Sequence, residues 1–334
     1  MKRRTSLPKI AVVGTGAVGM AFAYGVVHQG LARELVLTDL DKRRAEGEAM
    51  DLSHSTAYLD PLIIRSGGYE VCRDADVFVV TAGKAQEPGQ SRLDLLHANA
   101  RIVISIMKEI EAVSENPIVI VVTNPLDVMT AVAVGASRFT QGHVFGSGTV
   151  LDTARFRHLL ADHCRVDARS VHAHVIGEHG DSEVCVWSRA NISNVPLEDF
   201  CRQRGTPLTR EVRERIGRDV RSAAYDIIDR KGATAYGIGA GLCRILEGIV
   251  RDAKTLLTVS APPCGVHGLK EDICLSLPCV IGAGGVEKVL ETVMSDGELE
   301  SLRRSAQVIH TALSELSLEK SLCPPADAGK STAS

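Results

Sequence analysis

Four polar side chains could together transfer a proton, and His179 is the central one. It lies between two glycines in residues 176–182, so the backbone can bend there and present the imidazole to a cleft. A histidine in a polar loop is most often an ordinary surface residue. Its interpretation as an acid or base therefore depends on three candidate partners, Asp152, Arg155 and Arg92.

Asp152 and Arg155 are one turn apart at the start of a predicted helix over residues 152–164, so they share a face. They could form an ordinary ion pair, worth a few tenths of a kcal/mol. Alternatively, Asp152 could hold His179 in one tautomer and stabilise its imidazolium, while Arg155 binds a substrate carboxylate through two parallel hydrogen bonds. The spacing allows both interpretations.

Residues 84–92 form a polar segment, with one proline and one glycine, between a predicted strand and a predicted helix. This segment is either a solvated surface loop or a lid that closes over a substrate, excludes water and delivers Arg92. Position along the chain leaves both open.

The first predicted strand, residues 10–13, runs into a turn with the spacing GxGxxG. Gly14 permits the tight turn, Gly16 lets the backbone approach a pyrophosphate, and Gly19 lets the following helix pack closely on the strand. The pattern indicates a dinucleotide site.

Asp39 indicates which dinucleotide. It ends the second predicted strand, Glu34–Thr38, and lies 20 residues after Gly19. A carboxylate there can accept both ribose hydroxyls and repels a 2′-phosphate. Arg43 and Arg44 would suit that phosphate, but Asp39 would oppose it, so we predict NAD.

Short apolar runs continue to alternate with helical periodicity, as residues 76–81, 117–123 and 143–145. Near-continuous Val and Ile runs are typical of parallel strands covered by helices on both faces. Ligands of such sheets bind outside the carboxyl ends of the strands. That rule places four residues along one edge, Gly14, Asp39, Gly83 and Asn124.

From Gly146 onward the pattern changes to longer helices and mixed strands, which predicts two domains. The fold class is α/β: a doubly wound parallel sheet over residues 8–146 and a mixed α+β catalytic domain over residues 147–318. The second domain has a predicted helical region 209–247, broken near Gly232, strands within 266–281 and a terminal helix 298–316. The Pro-, Gly- and Ser-containing tail, residues 319–334, is predicted to be disordered.

The bulk composition excludes several classes of protein. A net charge of -3 disfavours a general nucleic-acid binder, and the apolar runs are too short for a transmembrane helix. The nine cysteines include no CxxC pair, which predicts free thiols in a reducing cytosol and no metal site. We therefore expect a cytoplasmic protein.

The motifs taken together resemble those of the lactate/malate dehydrogenase family. The resemblance covers residues 8–318 in the expected order and includes residues 14–19, 81–83, 123–127, 152–157 and 178–181. It implies a Rossmann domain followed by a catalytic domain, and hydride transfer between a 2-hydroxy acid and NAD. A non-enzymatic NAD-binding protein would need none of the proton chemistry of His179.

The resemblance also implies roles by position. His179 is the expected proton donor and acceptor, Asp152 its orienting carboxylate, Arg155 the carboxylate clamp and Arg92 the residue that polarises the carbonyl. Asn124 is expected to bond the substrate oxygen, and Thr234 to close the pocket. The expected NAD contacts are Gly14, Gly16, Val18, Gly19, Asp39, Arg44, Tyr69, Gly83, Ser105, Val122, Asn124 and Ser147.

Gln86 lies where the family reads the side group of the substrate, and malate enzymes carry arginine there. A neutral glutamine cannot balance the second carboxylate of oxaloacetate, and an unpaired carboxylate in a closed site costs several kcal/mol. Gln86 therefore favours pyruvate and L-lactate. The alternatives are a malate dehydrogenase, a broader 2-hydroxy-acid dehydrogenase, or an incidental role for Gln86 in its loop.

Arg157 and His172 match family positions that form an anion site between subunits. In many bacterial members this site binds fructose 1,6-bisphosphate, an activator, although some members carry these residues without being activated. A bisphosphate that bridges two cationic patches would favour the quaternary state that brings them together. We expect a homotetramer with the bisphosphate as its effector. Alternatively, Arg157 and His172 are a purely structural pair at the interface between subunits.

Overall fold

The computed structural model describes residues 7–84 and 92–316, with Arg92 described by its backbone alone. Its first half alternates strands and helices. In order, they are β1 (Lys9–Val13), α1 (Ala17–Gln29), β2 (Glu34–Thr38), α2 (Lys42–Ser55), β3 (Ile63–Ser66), β4 (Val77–Val80), α3 (Arg92–Val113), β5 (Ile118–Val121), α4 (Leu126–Gly135), β6 (Val144–Gly146) and α5 (Val150–Cys164).

The second half mixes short strands with long helices. In order, they are β7 (Val171–His172), β8 (Val175–Ile176), β9 (Val184–Cys185), β10 (Asn191–Ile192), β11 (Val195–Pro196), α6 (Leu197–Arg204), α7 (Arg210–Lys231), α8 (Tyr236–Val250), β12 (Thr255–Ala261), β13 (Leu275–Gly282), β14 (Gly285–Val289) and α9 (Asp296–Glu315).

The central sheet begins with six parallel strands in the order β3-β2-β1-β4-β5-β6. This is the strand order of a doubly wound sheet. Strands are added on one side of β1 up to β3 and then on its other side from β4 onward, so the strand order reverses between β1 and β4. In register, Val13 pairs with Thr38 and Val80, and Val80 pairs with Val121. The strands therefore end together, and the predicted common edge for Gly14, Asp39, Gly83 and Asn124 is confirmed.

The same sheet continues into the second half of the chain. Strand β12 pairs antiparallel with β6 through Ser260 and Gly146, and β13 and β14 follow outward to give nine strands. The sequence pattern did not predict this join, because it depends on one pairing between distant segments.

The predicted strands over residues 266–281 are wrong in their first part. Residues Val266–Gly268 form a 3-10 turn, and β13 begins only at Leu275. Gly265 and Gly268 have φ values of 77° and 69°, in the left-handed region that interrupts an extended run.

Two hydrophobic cores support the site. The larger surrounds the sheet and includes the fully buried Phe22, Phe78 and Phe145. The smaller lies under α5, where Phe156 packs edge-to-face on Trp187 with ring centroids 4.7 Å apart. It anchors the helix that carries Asp152 and Arg155.

Within residues 7–84 and 92–316, no helix is both long enough and apolar enough to span a membrane.

Candidate active site

His179, Asp152 and Arg155 form one connected group. The Nδ1 atom of His179 lies 2.5 Å from Oδ2 of Asp152, while Nη1 of Arg155 donates to Oδ1 of the same carboxylate at 2.8 Å. Asp152 is 1% exposed, so both of its oxygens are paired out of water. The two interpretations of the Asp152–Arg155 spacing are thus compatible, because one carboxylate serves both neighbours.

The charges of this group shift its proton affinities. Burial alone would lower the pKa of His179, but the charge and hydrogen bond of Asp152 raise it to about 9. Burial alone would raise the pKa of Asp152, but His179 and Arg155 hold it below its usual value. At neutral pH the imidazole is protonated and the carboxylate ionised, so the pair holds a proton that Nε2 can give up.

The backbone before and at His179 is held by three separate elements. Gly177 exchanges two 2.9 Å hydrogen bonds with Ser276, and the N–H of Glu178 donates to Oγ of Ser305 at 2.7 Å. The N–H of His179 donates to Oδ2 of Asp127 at 2.6 Å. The loop therefore presents the imidazole from a fixed main chain.

Asn124 follows β5 at the ligand edge, and its backbone is tied to α3. The side-chain amide of Asn99 donates to the carbonyl of Asn124 at 2.8 Å, and its oxygen accepts the N–H of Lys84 at 2.8 Å. Asn99 is 1% exposed. Asn99 therefore connects the segment after β4 to the segment after β5. Its position in a predicted helix gives no indication of this role.

The glycine-rich turn fits a dinucleotide. A Cβ at Gly14 would lie 2.6 Å from the backbone nitrogen of Ala82, and one at Gly19 would lie 2.1 Å from the oxygen of Gly14. A Cβ at Gly16 would meet nothing within 4 Å, so the N-terminus of α1 faces open space. The first turn of α1 contains no acidic residue, which leaves its positive end available to a pyrophosphate.

Three hydrogen bonds fix the carboxylate of Asp39, the residue expected to bind the ribose. Its Oδ2 accepts the N–H of Thr15 at 2.6 Å and the hydroxyl of Thr15 at 3.0 Å, and its Oδ1 accepts the N–H of Asp41 at 3.0 Å. Burial alone would raise the pKa of Asp39, but these bonds and the charge of Arg44 lower it. The carboxylate is therefore ionised, as NAD binding requires.

The other expected NAD contacts are distributed over several elements of the structure. Val18 is in α1, Arg44 in α2, Tyr69 in a 3-10 turn, Gly83 after β4, and Ser105 in α3. Val122 directly follows β5, and its N–H donates to the carbonyl oxygen of Val80. Ser147 directly follows β6, and its N–H donates to the carbonyl oxygen of Val121. Their contacts with the cofactor stay predictions.

Three expected substrate residues are less fully described. Gln86 lies outside the described residues, as does most of the predicted lid, and Arg92 is the first residue of α3. Thr234 lies in the connection between α7 and α8 and is half-buried.

The expected anion site has a cationic environment. The Nε of Arg157 donates to the carbonyl of Ala173 at 2.9 Å, and His172 is exposed on β7. Burial and the charges of Arg157 and His172 lower the pKa of neighbouring His174 to about 4. His174 is therefore neutral at pH 7, and Arg157 supplies the fixed positive charge.

Glu183 is a further acidic residue near the pair. It is 7% exposed, and its Oε1 has no hydrogen-bond partner among the described residues. Burial, with the charge of Asp152, raises the pKa of Glu183 to about 8. Its carboxyl therefore holds a proton more strongly than an ordinary glutamate does. Sequence spacing gave no signal for it, since acidic residues are common in loops.

Comparisons with known proteins match most of the chain. The model of the lactate/malate dehydrogenase NAD-binding domain matches residues 8–146, and that of the lactate/malate dehydrogenase alpha/beta C-terminal domain matches residues 149–319. The L-lactate dehydrogenase of Nitratidesulfovibrio vulgaris is 51% identical over 308 residues, which are 92% of this chain and 99% of that protein. The L-lactate dehydrogenase of Thermus aquaticus is 48% identical over 308 residues, with the same two shares.

Solved structures are also similar. MGS-M5, a lactate dehydrogenase from a Medee basin deep-sea metagenome library, superposes with a TM-score of 0.91 at 41% identity over 94% of this chain and 100% of that chain. The minor L-lactate dehydrogenase of Enterococcus mundtii gives a TM-score of 0.89 at 38% identity, over 92% of this chain and 98% of that chain.

Proposed function

The chain belongs to the lactate/malate dehydrogenase family, and from this premise we propose how its site works as an NAD-dependent L-lactate dehydrogenase. The enzyme interconverts pyruvate and L-lactate. The single observation that carries the mechanism is the buried contact between Nδ1 of His179 and Asp152. It fixes the imidazole and leaves Nε2 to exchange a proton with the substrate oxygen.

Bound NADH supplies the hydride that reduces C2 of pyruvate. As negative charge develops on the substrate oxygen, protonated His179 neutralises it by donating its Nε2 proton. In the reverse direction neutral His179 accepts the hydroxyl proton of lactate, and Asp152 stabilises the imidazolium that results.

The remaining residues bind and orient. Arg155 keeps N–H groups beyond the one it gives to Asp152, and these can grip the substrate carboxylate as a fork. Asn124, at the strand edge, bonds the substrate oxygen, Thr234 closes the pocket, and Arg92 stabilises the developing charge from the lid. Residues 8–146 form the nucleotide-binding domain and residues 147–318 the catalytic domain of a cytoplasmic enzyme.

The assay that tests this function is oxidation of NADH with pyruvate and then with oxaloacetate. We expect kcat/KM for pyruvate to exceed that for oxaloacetate by about a thousandfold, since an unpaired buried carboxylate costs several kcal/mol and about 1.4 kcal/mol corresponds to tenfold. A preference for oxaloacetate would identify a malate dehydrogenase. Comparable rates with larger 2-keto acids would indicate a broad 2-hydroxy-acid dehydrogenase, and no turnover would leave an NAD-binding protein.

Fructose 1,6-bisphosphate is the proposed effector and a homotetramer the proposed assembly. The fixed charge of Arg157 beside exposed His172 supports an anion site. Exposed apolar side chains on α7 and α8 support burial against another subunit, and they are Tyr225, Ile227, Ile228 and Tyr236.

We expect millimolar fructose 1,6-bisphosphate at neutral pH to lower the half-saturating pyruvate concentration about fivefold or more, the usual range of coupling between two sites. Arg157→Gln should abolish this response, because it removes the cation that the phosphate pairs with. Arg204→Gln, at an exposed arginine of α6, is the matched control and should keep it. A pyruvate saturation curve that the bisphosphate leaves unmoved in the wild-type enzyme would exclude activation, and sedimentation measures the assembly.

A further inference from the structure

The carboxylate of Asp127 contacts the backbone of His179. Its Oδ2 accepts the N–H of His179 and its Oδ1 accepts the hydroxyl of Ser260, each at 2.6 Å. Asp127 is 2% exposed and Ser260 is 0% exposed. The mechanism above leaves this buried, fully bonded acid without a role.

Three distant parts of the chain meet at this carboxylate. Asp127 is in the first turn of α4, directly after the Asn124 turn, and the N-terminal end of a helix favours a negative charge. Ser260 is on β12, at the position that pairs with Gly146 of β6. His179 follows β8 in the second half of the chain.

The other two anchors of the His179 loop differ from Asp127 in charge. Gly177 is held by the backbone of Ser276, and Glu178 by the hydroxyl of Ser305. Both of those partners are neutral. The anchor of the reacting residue itself is an acid, which can act on the imidazole through its charge as well as through its hydrogen bond.

We propose that Asp127 is a positioning residue for the proton transfer: its carboxylate holds the main chain of His179 and its negative charge helps to keep the proton on the imidazole. Asp152 holds the same residue by its side chain. This inference rests on the proposed function, which assigns the proton to His179.

The surrounding charges set the pH range of this effect. His179 faces the acids Asp152, Asp127 and Glu183, while Asp127 faces His179 and the charge of Glu178. Burial raises the pKa of Asp127 to about 6, against the bonds from Ser260 and His179 that lower it. Above about pH 6 the anchor is ionised, and as the pH falls through 6 its charge is lost.

Asp127→Asn separates the charge from the hydrogen bond. The amide oxygen of asparagine can still accept the N–H of His179, while its NH₂ group can donate to the oxygen of Ser260. The main chain therefore keeps its anchor and loses only the negative charge. Ser260→Ala leaves the carboxylate of Asp127 in place and removes the hydrogen bond from Ser260. Because that bond lowers the pKa of Asp127, the pKa should rise in this variant.

The test is a titration of the His179 imidazole by NMR in the full-length enzyme without substrate, combined with pH profiles of kcat and KM for pyruvate. In Asp127→Asn we expect the pKa of His179 to fall by roughly one unit, the effect of losing one nearby opposite charge. We expect kcat to fall about twofold at pH 8 and about fivefold at pH 9, because a one-unit fall from a pKa of about 9 lowers the protonated fraction of His179 by these factors. The Kd for NADH should be unchanged. In Ser260→Ala the smaller inflection that the NMR signal of His179 should show near pH 6, where Asp127 loses its charge, should move to higher pH, because the bond that lowers the pKa of Asp127 is gone. Asp162→Asn, at an exposed acid of α5, is the matched control and should change neither quantity.

An unchanged pKa of His179 in a folded Asp127→Asn enzyme would overturn the proposal, because a purely structural residue would not move this titration. If that variant does not fold, an inflection of the His179 NMR signal near pH 6 that is absent in the wild type or unmoved in Ser260→Ala overturns it instead. Failure of the proposed function is a separate result: the wild-type enzyme would not oxidise NADH with pyruvate, whereas the NMR titration needs no substrate and would still report on Asp127.

Discussion

Replacement of His179 by glutamine is expected to lower kcat for pyruvate reduction by roughly 10²–10⁴-fold, the usual contribution of a positioned general acid. Glutamine can hydrogen-bond to Asp152 and to the substrate, but it carries no proton that it can transfer at neutral pH. The Kd for NADH should change little, because His179 follows β8, whereas the glycine-rich turn connects β1 to α1. Stopped-flow measurement of NADH oxidation, with the Kd from NADH fluorescence, checks both expectations.

His158→Gln provides the control, since His158 is an exposed histidine of α5, the helix that carries Asp152. It should leave kcat within about twofold of the wild-type value, as is usual for surface substitutions. If His179→Gln and His158→Gln gave similar rates, another residue would supply the proton.

The pH profile follows from the same pair. Asp152 raises the pKa of His179 to about 9 against the effect of burial, so the proton needed for pyruvate reduction is present at neutral pH. Pyruvate reduction should therefore decline as the pH rises through about 9, and lactate oxidation should increase over the same range. The ion pair also stabilises the fold fully below pH 6.5, the ordinary pKa, and this stabilisation is lost as the pH rises through 9.

Gln86→Arg is expected to raise the ratio of kcat/KM for oxaloacetate over pyruvate by about a thousandfold. An arginine supplies the charge that the second carboxylate of oxaloacetate lacks opposite glutamine, and an unpaired buried charge costs several kcal/mol. The same arginine would face the methyl group of pyruvate without a partner, so pyruvate turnover should fall. Steady-state kinetics with both substrates measures the ratio.

Gln90→Arg is the matched control, because it adds the same charge to the same polar segment, residues 84–92. If position decides specificity, only Gln86→Arg should shift the ratio. An equal shift in both variants would assign the effect to net charge near the site, and no shift in Gln86→Arg would remove Gln86 as the discriminator.

The parallel half of the sheet could be predicted from sequence because its strands are buried on both faces. Each then reads as an unbroken apolar run, as in Ile118–Val121, and the glycine turn marks where the first one ends. Strand β3, Ile63–Ser66, is not predicted because it lies at the edge of the sheet and contains two exposed residues, so it does not form an unbroken apolar run. The join of β12 to β6 depends on a pair more than a hundred residues apart, for which no local pattern exists.

The residues of the site also differ in how far the sequence predicts them. His179, Asp152 and Arg155 could be expected together because their residue types complement one another chemically. Asp127 stands inside a recognisable motif, yet its partner His179 is 52 residues away, and only the folded chain reveals that they touch. The sequence also gives no indication of the role of Asn99, because its partners Lys84 and Asn124 are 15 and 25 residues away.

The continuity of the sheet through β6 and β12 bears on how this enzyme could change during evolution. Ser260 pairs with Gly146 of β6 and also bonds to Asp127, which bonds to His179, so a mutation there would disturb the nucleotide edge and the proton-transfer residues together. Gln86, by contrast, lies in the sequence between β4 and α3, outside the described residues. Under the role proposed for Gln86, exchanging a few of residues 84–92 would change the substrate, while the proton-transfer chemistry stays intact.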